Sequence, residues 1–216
     1  MTLLSILALG FLLGMRHATD SDHVIAVATI VSRQRNVLSA AVTGILWGIG
    51  HSITLLIVGS AIILFGIVIP ERLSASLELC VAIMLILLGL VNLTTFRRSL
   101  SEDHLHERSH CEGFYSRFRP VIVGVVHGLA GSAALALLLV QLIRNPGWAM
   151  VYLLIFGMGT IAGMMLITAM IAVPITYSAN RFHLFHRYVS AAAGALSLVF
   201  GLFLVHQIAF VDGLFR

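Results

Sequence analysis

Apolar residues run along this chain in long blocks separated by short polar stretches. Six hydrophobic segments can be drawn, over 2–32, 37–69, 73–95, 120–144, 147–175 and 188–210. A hydrocarbon core about 30 Å thick needs about 20 apolar residues to cross it as a helix, so each block is a candidate span. Strands would leave backbone groups unpaired in lipid, and barrel strands would show as short alternating segments; helices are therefore predicted throughout. The pattern predicts an all-α polytopic membrane protein of six transmembrane helices, forming a single domain over residues 1–216.

Segments one and two are unusually long. At about 30 residues each they would measure roughly 45 Å as continuous helices, so tilt or a break is required. In the first, Thr19-Asp20-Ser21-Asp22 combines a hydroxyl with an acid three positions on, a capping signal for a second half-helix. In the second, Gly44, Gly48 and Gly50 just precede His51 and predict a second break.

A weak internal repeat accompanies these segments. Gly14-x-x-His17 recurs as Gly124-x-x-His127, and Trp47-Gly48-Ile49-Gly50-His51 as Phe156-Gly157-Met158-Gly159-Thr160. Both offsets are about 110 residues, which divides the chain into a three-helix half over 1–95, a loop over 96–119 and a second half over 120–216. With an odd number of spans in each, the halves are expected to be inverted relative to one another, as in alternating-access transporters.

Composition narrows the class. Of 216 residues 59% are hydrophobic and only 10% charged, and the mean hydropathy is +1.03, outside the range of soluble domains. No basic region precedes the first apolar run, so that segment is expected to be retained rather than cleaved. Cys80 lies in an apolar run and Cys111 in a charged loop, and they form no redox pair. All 13 basic residues are arginines. Nine of them fall in the loops after segments one, three and five, against three on the other side, namely Arg72, Arg144 and Arg216. The positive-inside rule then puts those loops in the cytoplasm and both termini outside a cytoplasmic membrane. No basic patch is interleaved with stacking aromatics, so nucleic acid is not an expected partner. No nucleotide-binding loop or permanently bound cofactor is indicated, and an enzyme is not expected.

The candidate chemistry lies inside the membrane. Gly14 to His23 holds one arginine, two aspartates and two histidines within an apolar run. An ionised side chain near mid-span costs about 2.5–3.5 kcal/mol on insertion scales, so these groups must be paired, solvated or bound to a cation. Imidazole with carboxylate suits first-row divalent metals better than calcium or magnesium. On an unbroken helix His17 would lie roughly 140° from Asp22 and 120° from His23, so the three can share an ion only across a break. His51, beside Gly50 at mid-span, is the candidate ligand from segment two, with a hydrogen bond to Ser52 as its structural alternative. His127, flanked by Gly124 and Gly128, and Asp20 are candidate pathway residues; Arg16 is expected either to pair with Asp20 or to line the route. Glu78, one to two turns inside the outer end of segment three, either snorkels to the interface, the preferred reading, or captures a cation. His104, His106, His110 and Cys111 in the cytoplasmic loop form a candidate loose metal tract or a solvated charged loop.

These residues bring a family into view. His17-Ala18-Thr19-Asp20-Ser21-Asp22-His23 resembles the His-x4-Asp-His signature of nickel and cobalt transporters, and Gly50-His51-Ser52 resembles that family's second motif. The match covers roughly the first third of the chain; the stretches 124–132 and 156–165 are similar in position to later motifs but lack their acids. Family members often have eight spans with the signature in the second, so this chain looks like a shorter member of the urease-accessory type. The resemblance implies a secondary transporter of Ni2+ or Co2+, with the metal as cargo held by His17, Asp22, His23 and His51. A urease or hydrogenase maturation protein is the implied cytoplasmic acceptor. A metal-binding accessory or sensor subunit and, further off, a membrane redox protein are the alternatives.

Overall fold

The computed structural model describes residues 3–34, 36–66, 69–101, 118–130, 145–181 and 183–212. The histidine-rich stretch with His104, His106, His110 and Cys111, and the second half of segment four, lie outside the described residues. The described chain is helical: α1 Leu3–His17, α2 Ser21–Val31, α3 Val37–Phe65, α4 Glu71–Ser101, α5 Phe118–Ala130, α6 Pro146–Arg181 and α7 His183–His206, followed by a π turn at Gln207–Val211. Among the described residues four stretches are long and apolar enough to cross a membrane, Val37–Phe65, Glu71–Arg97, Pro146–Tyr177 and Arg187–Val211; α1, α2 and α5 are shorter. These helices expose large apolar side chains along their length, among them Ile57, Leu87, Met170 and Val199. Such a surface is solvated by lipid tails, and the protein is a multi-pass membrane protein.

The break predicted in the first segment is present at residues 18–20, but its cap differs from expectation. Thr19 Oγ1 donates to the Arg16 carbonyl at 2.6 Å, closing α1 instead of opening α2. The residue that begins α2 is Asp20, with extended backbone and no side-chain cap bond. Its carboxylate is engaged by His17 Nδ1 at 2.7 Å, so it is turned from the backbone of α2 toward the site.

The second break does not occur: α3 is continuous over 29 residues. Asn36 caps its start, accepting from the Leu38 N–H at 2.8 Å, and Gly66 at φ 63° closes its end. The glycines expected to weaken it serve close approach instead. A methyl group at Gly44 would lie 2.6 Å from Thr168 Oγ1 and 2.7 Å from the Met164 carbonyl on α6, and one at Gly50 would fall on the Val121 carbonyl of α5. Neighbouring helices held that near keep α3 straight, because any kink would separate or overlap backbones in contact.

Helix α6 is central, packing on α1 and α3, while α4 pairs with α7 and α2 touches α4, α6 and α7. Several buried hydroxyls are satisfied within their own helices: Thr54, Thr160 and Thr176 each donate to the carbonyl four residues back. At the arginine-rich end Asn92 ties three helices together. Its Nδ2 donates to the Ser190 carbonyl at 2.9 Å and to Ser32 Oγ at 3.2 Å, and its Oδ1 accepts from Arg33 Nε.

Candidate metal centre

The interruption at residues 18–20 decides the geometry of the site. It leaves His17 on the last turn of α1 and Asp22 and His23 on the first turn of α2, so residues that a straight helix would point apart converge. The ring centroids of His17 and His23 are 4.9 Å apart. From α3, His51 adds a ring 5.2 Å from His17 and 5.1 Å from His23, and from α5 His127 adds one 4.8 Å from His23. All four sequence-predicted histidines of the membrane region thus meet in one cluster. His23, His51 and His127 are at most 3% exposed.

Hydrogen bonds orient these rings. Asp20 Oδ2 accepts from His17 Nδ1 at 2.7 Å, and Asp22 Oδ1 accepts from His23 Nδ1 at 3.1 Å. Each carboxylate thereby fixes the tautomer of its histidine and leaves Nε2 with a lone pair, the arrangement by which second carboxylates tune metal-bound imidazoles. His23 Nε2 and His51 Nδ1 have no hydrogen-bond partner among the described residues. His17 Nε2 faces His51 Nε2 at 3.2 Å.

Two overlapping sets of donors result. One is His17, His23 and His51; the other is Asp22, His23 and His127; within each, one ligand atom per residue lies within 4.8 Å of the others. His23 is common to both. In the second set Asp22 Oδ2 is 3.6 Å from His127 Nε2. Asp20, a candidate pathway residue from the sequence, accepts from His17 Nδ1, and among the described residues no ion pair joins it to Arg16, whose other expected place is along the route. Ser52 does not bond His51: its hydroxyl donates to the Gly157 carbonyl of α6 at 3.0 Å. Glu78 stands outside the cluster, on the wall of a cavity that Asp22 also lines.

The bond from His17 to Asp20 makes a graded prediction for the Ni2+ binding that the histidine motifs imply. Asp20→Asn keeps the volume but loses the charge beside His17, and it is expected to weaken that binding in the purified protein about 10–100-fold without removing it. Calorimetric titration in detergent reads this; an unchanged affinity would show that Asp20 does not act through His17.

Comparison with known proteins reaches across nearly the whole chain. The urease accessory protein UreH of Bacillus sp. (strain TB-90) is 36% identical to it over 222 residues, covering 99% of this chain and 96% of the relative. The chain belongs to the UreH family. That relative is named as an accessory protein and not as an enzyme. No family model matches the chain, and no solved structure matches it.

In this UreH-family chain two aromatic residues, both members of the internal repeat, complete the centre. Trp47, fully buried one turn before His51, stacks on His23 at 5.9 Å and packs edge-on against His127 at 5.2 Å. Phe156 of α6 lies 5.7 Å from His17. Both walls exclude water from the imidazoles and so strengthen their attraction for a cation. The spacing of Trp47 and His51, four residues on one helix face, is the sequence signal for the first. For Phe156 nothing local marks the contact, because it is made between α1 and α6.

Proposed function

We propose that the protein is a secondary transporter of divalent transition-metal ions, Ni2+ or Co2+, across the cytoplasmic membrane. The observation that carries this reading is the trio of the half-buried His17 with the buried His23 and His51, whose ligand atoms lie within 4.8 Å of one another inside a membrane protein. Three imidazole nitrogens favour borderline transition metals over calcium and magnesium, and Asp20 and Asp22 supply negative charge close by. The likeness to nickel and cobalt transporters in the two histidine motifs, and the UreH relative's role as a urease accessory protein, favour nickel and a urease maturation protein as acceptor. Ligand duties fall to His17, His23 and His51, with Asp22 and His127 forming a second station.

The transport architecture in this reading has six spans, the first made of α1 and α2 in series, in two inverted halves. Glycine contacts support it. A methyl group at Gly14 would fall on the Phe156 carbonyl, and one at the repeat-equivalent Gly124 on the carbonyl of the equivalent Trp47. Likewise Gly159 abuts the Phe11 carbonyl and its equivalent Gly50 that of Val121. His17 packs on Phe156 and its equivalent His127 on Trp47. Equivalent residues exchanging equivalent contacts are what a two-fold relation between halves requires, and such halves suit alternating access around a central site. The arginine bias orients the bundle with both termini outside and the histidine-rich loop in the cytoplasm.

The rival reading, a metal-binding accessory subunit without transport, is favoured by the relative's name alone. Purified protein in sealed liposomes separates the two. Time-dependent accumulation of 63Ni2+ in the lumen, absent with His51→Ala, is the expected result; binding at the protein with no luminal accumulation would establish the subunit reading instead.

A further inference from the structure

Beside the histidine cluster is a cavity of about 260 Å³, bounded by α2, α4, α5, α7 and the π turn. Its polar wall is Ser21, Asp22, Glu78, Gln207 and Asp212, and side chains such as Phe200 and Leu204 make the rest. We propose that this cavity is the aqueous route by which the divalent cation passes between the outer face and the histidines, with Glu78 and Asp212 as its capture carboxylates. The proposal rests on the transport reading above and gives it a path.

Asp22 is the joint between cavity and cluster. Its side chain is 32% exposed, whereas those of His23 and His127 are 3% and 1% exposed, so the carboxylate is what an ion in the cavity meets first. Behind it His127 Nε2, buried and without a hydrogen-bond partner among the described residues, lies 3.6 Å from Asp22 Oδ2. An ion arriving at Asp22 therefore has the set Asp22, His23 and His127 within reach, and the shared His23 can then pass it to His17 and His51. Three carboxylates also offset the positive end of the α2 dipole, which opens onto the same space at Ser21 and would otherwise repel a cation.

Size and backbone geometry agree with that use. At about 30 Å³ per water, a divalent ion with six waters occupies roughly 200 Å³, which this cavity holds. On an α-helix, residues five apart point roughly 140° away from each other. Here the π turn, closed by the Asp212 N–H donating to the Gln207 carbonyl at 3.0 Å, turns both residues onto the cavity. Such turns are frequent at functional sites. The space at the other end of α2 is only about 40 Å³ and is lined by Arg33 and Arg119, which suits neither the size nor the charge of the ion.

The test uses the full-length protein in liposomes of known orientation. Glu78→Gln with Asp212→Asn is expected to raise KM for 63Ni2+ uptake about tenfold, with Vmax changed less than twofold and Ni2+ binding at the cluster retained at its original stoichiometry. In a separate chain with Cys80 and Cys111 replaced by serine, Leu204→Cys on the cavity wall is expected to be modified by a membrane-impermeant cationic thiol reagent from the outer side, blocking uptake. Leu202→Cys, on a side chain 54% exposed that does not line the cavity, serves as the control and is expected to keep its uptake. An unchanged KM, or Leu204→Cys modified no faster than the control, overturns the route. Should the double variant fail to reach the bilayer, the thiol labelling decides alone. Uptake that proceeds normally in all variants sinks this inference only, whereas an unmodified protein that accumulates no metal sinks the transport reading.

Discussion

His23→Ala is expected to abolish high-affinity Ni2+ binding and transport together, lowering apparent affinity at least about 100-fold, or about 2.7 kcal/mol. The expectation follows from its position in both donor sets. Its ring centroid lies within 5.1 Å of those of His17, His51 and His127, so its loss reduces each three-donor set to two, His17 with His51 and Asp22 with His127. His17→Ala, by contrast, leaves Asp22, His23 and His127 intact, and an intermediate loss is expected there. Titration of Ni2+ into each purified variant, paired with uptake in liposomes, checks the order. If His23→Ala stayed within threefold of the unmodified protein, or fell less than His17→Ala, a shared ligand at this position would be excluded.

The second large effect concerns the seam between α1 and α6. Gly159→Leu would drive a side chain into the Phe11 backbone, where a β-carbon already lies 3.1 Å from Phe11 Cα. Backbone atoms cannot rotate aside, so α1 must move. Overpacking of this kind costs about 1–3 kcal/mol and sometimes more, which for a chain of this size lowers the melting temperature by roughly 2–12 °C. Because α1 carries His17 at its C-terminal end, Ni2+ affinity is expected to fall alongside stability even though no candidate ligand is changed. Met158→Ala, at a residue 61% exposed on the same helix, is the comparison and is expected to leave both properties near their original values. Thermal unfolding in detergent by intrinsic fluorescence and Ni2+ titration measure the two effects; a stable variant with full affinity would mean that α1 and α6 tolerate separation.

Between them these variants distinguish chemistry from scaffolding. The first removes a candidate ligand and leaves the helices where they are; the second keeps every candidate ligand and shifts a helix.

Much of the site is legible in the sequence. Asp22 and His23 stand out because charge and imidazole are costly in an apolar run, and the angular mismatch with His17 demands an interruption between them. The interruption is present at residues 18–20. His51 is marked by its mid-span place beside Gly50, and His127 by its repeat relation to His17. The role of Asp20 is not legible in the same way, because its choice between capping α2, pairing with Arg16 and orienting His17 depends on where the first turn points the carboxylate. The break expected in α3 fails for a related reason: glycine weakens an isolated helix, but between neighbours it lets backbones approach and the contact holds the helix straight.

By itself, then, the order of residues determined that the chain lives in a membrane as helices, that expensive polar groups interrupt its first apolar run, and that a straight first helix could not bring them together. Those conclusions follow from transfer energies and helical periodicity, which are local properties. Only the tertiary structure decided which histidine shares an edge with which, that His23 belongs to two donor sets, that Trp47 and Phe156 wall the centre, and that Glu78 and Asp212 border one cavity with Asp22. Such contacts join residues far apart in the chain through helix packing, and no local pattern of hydrophobic and polar positions encodes them.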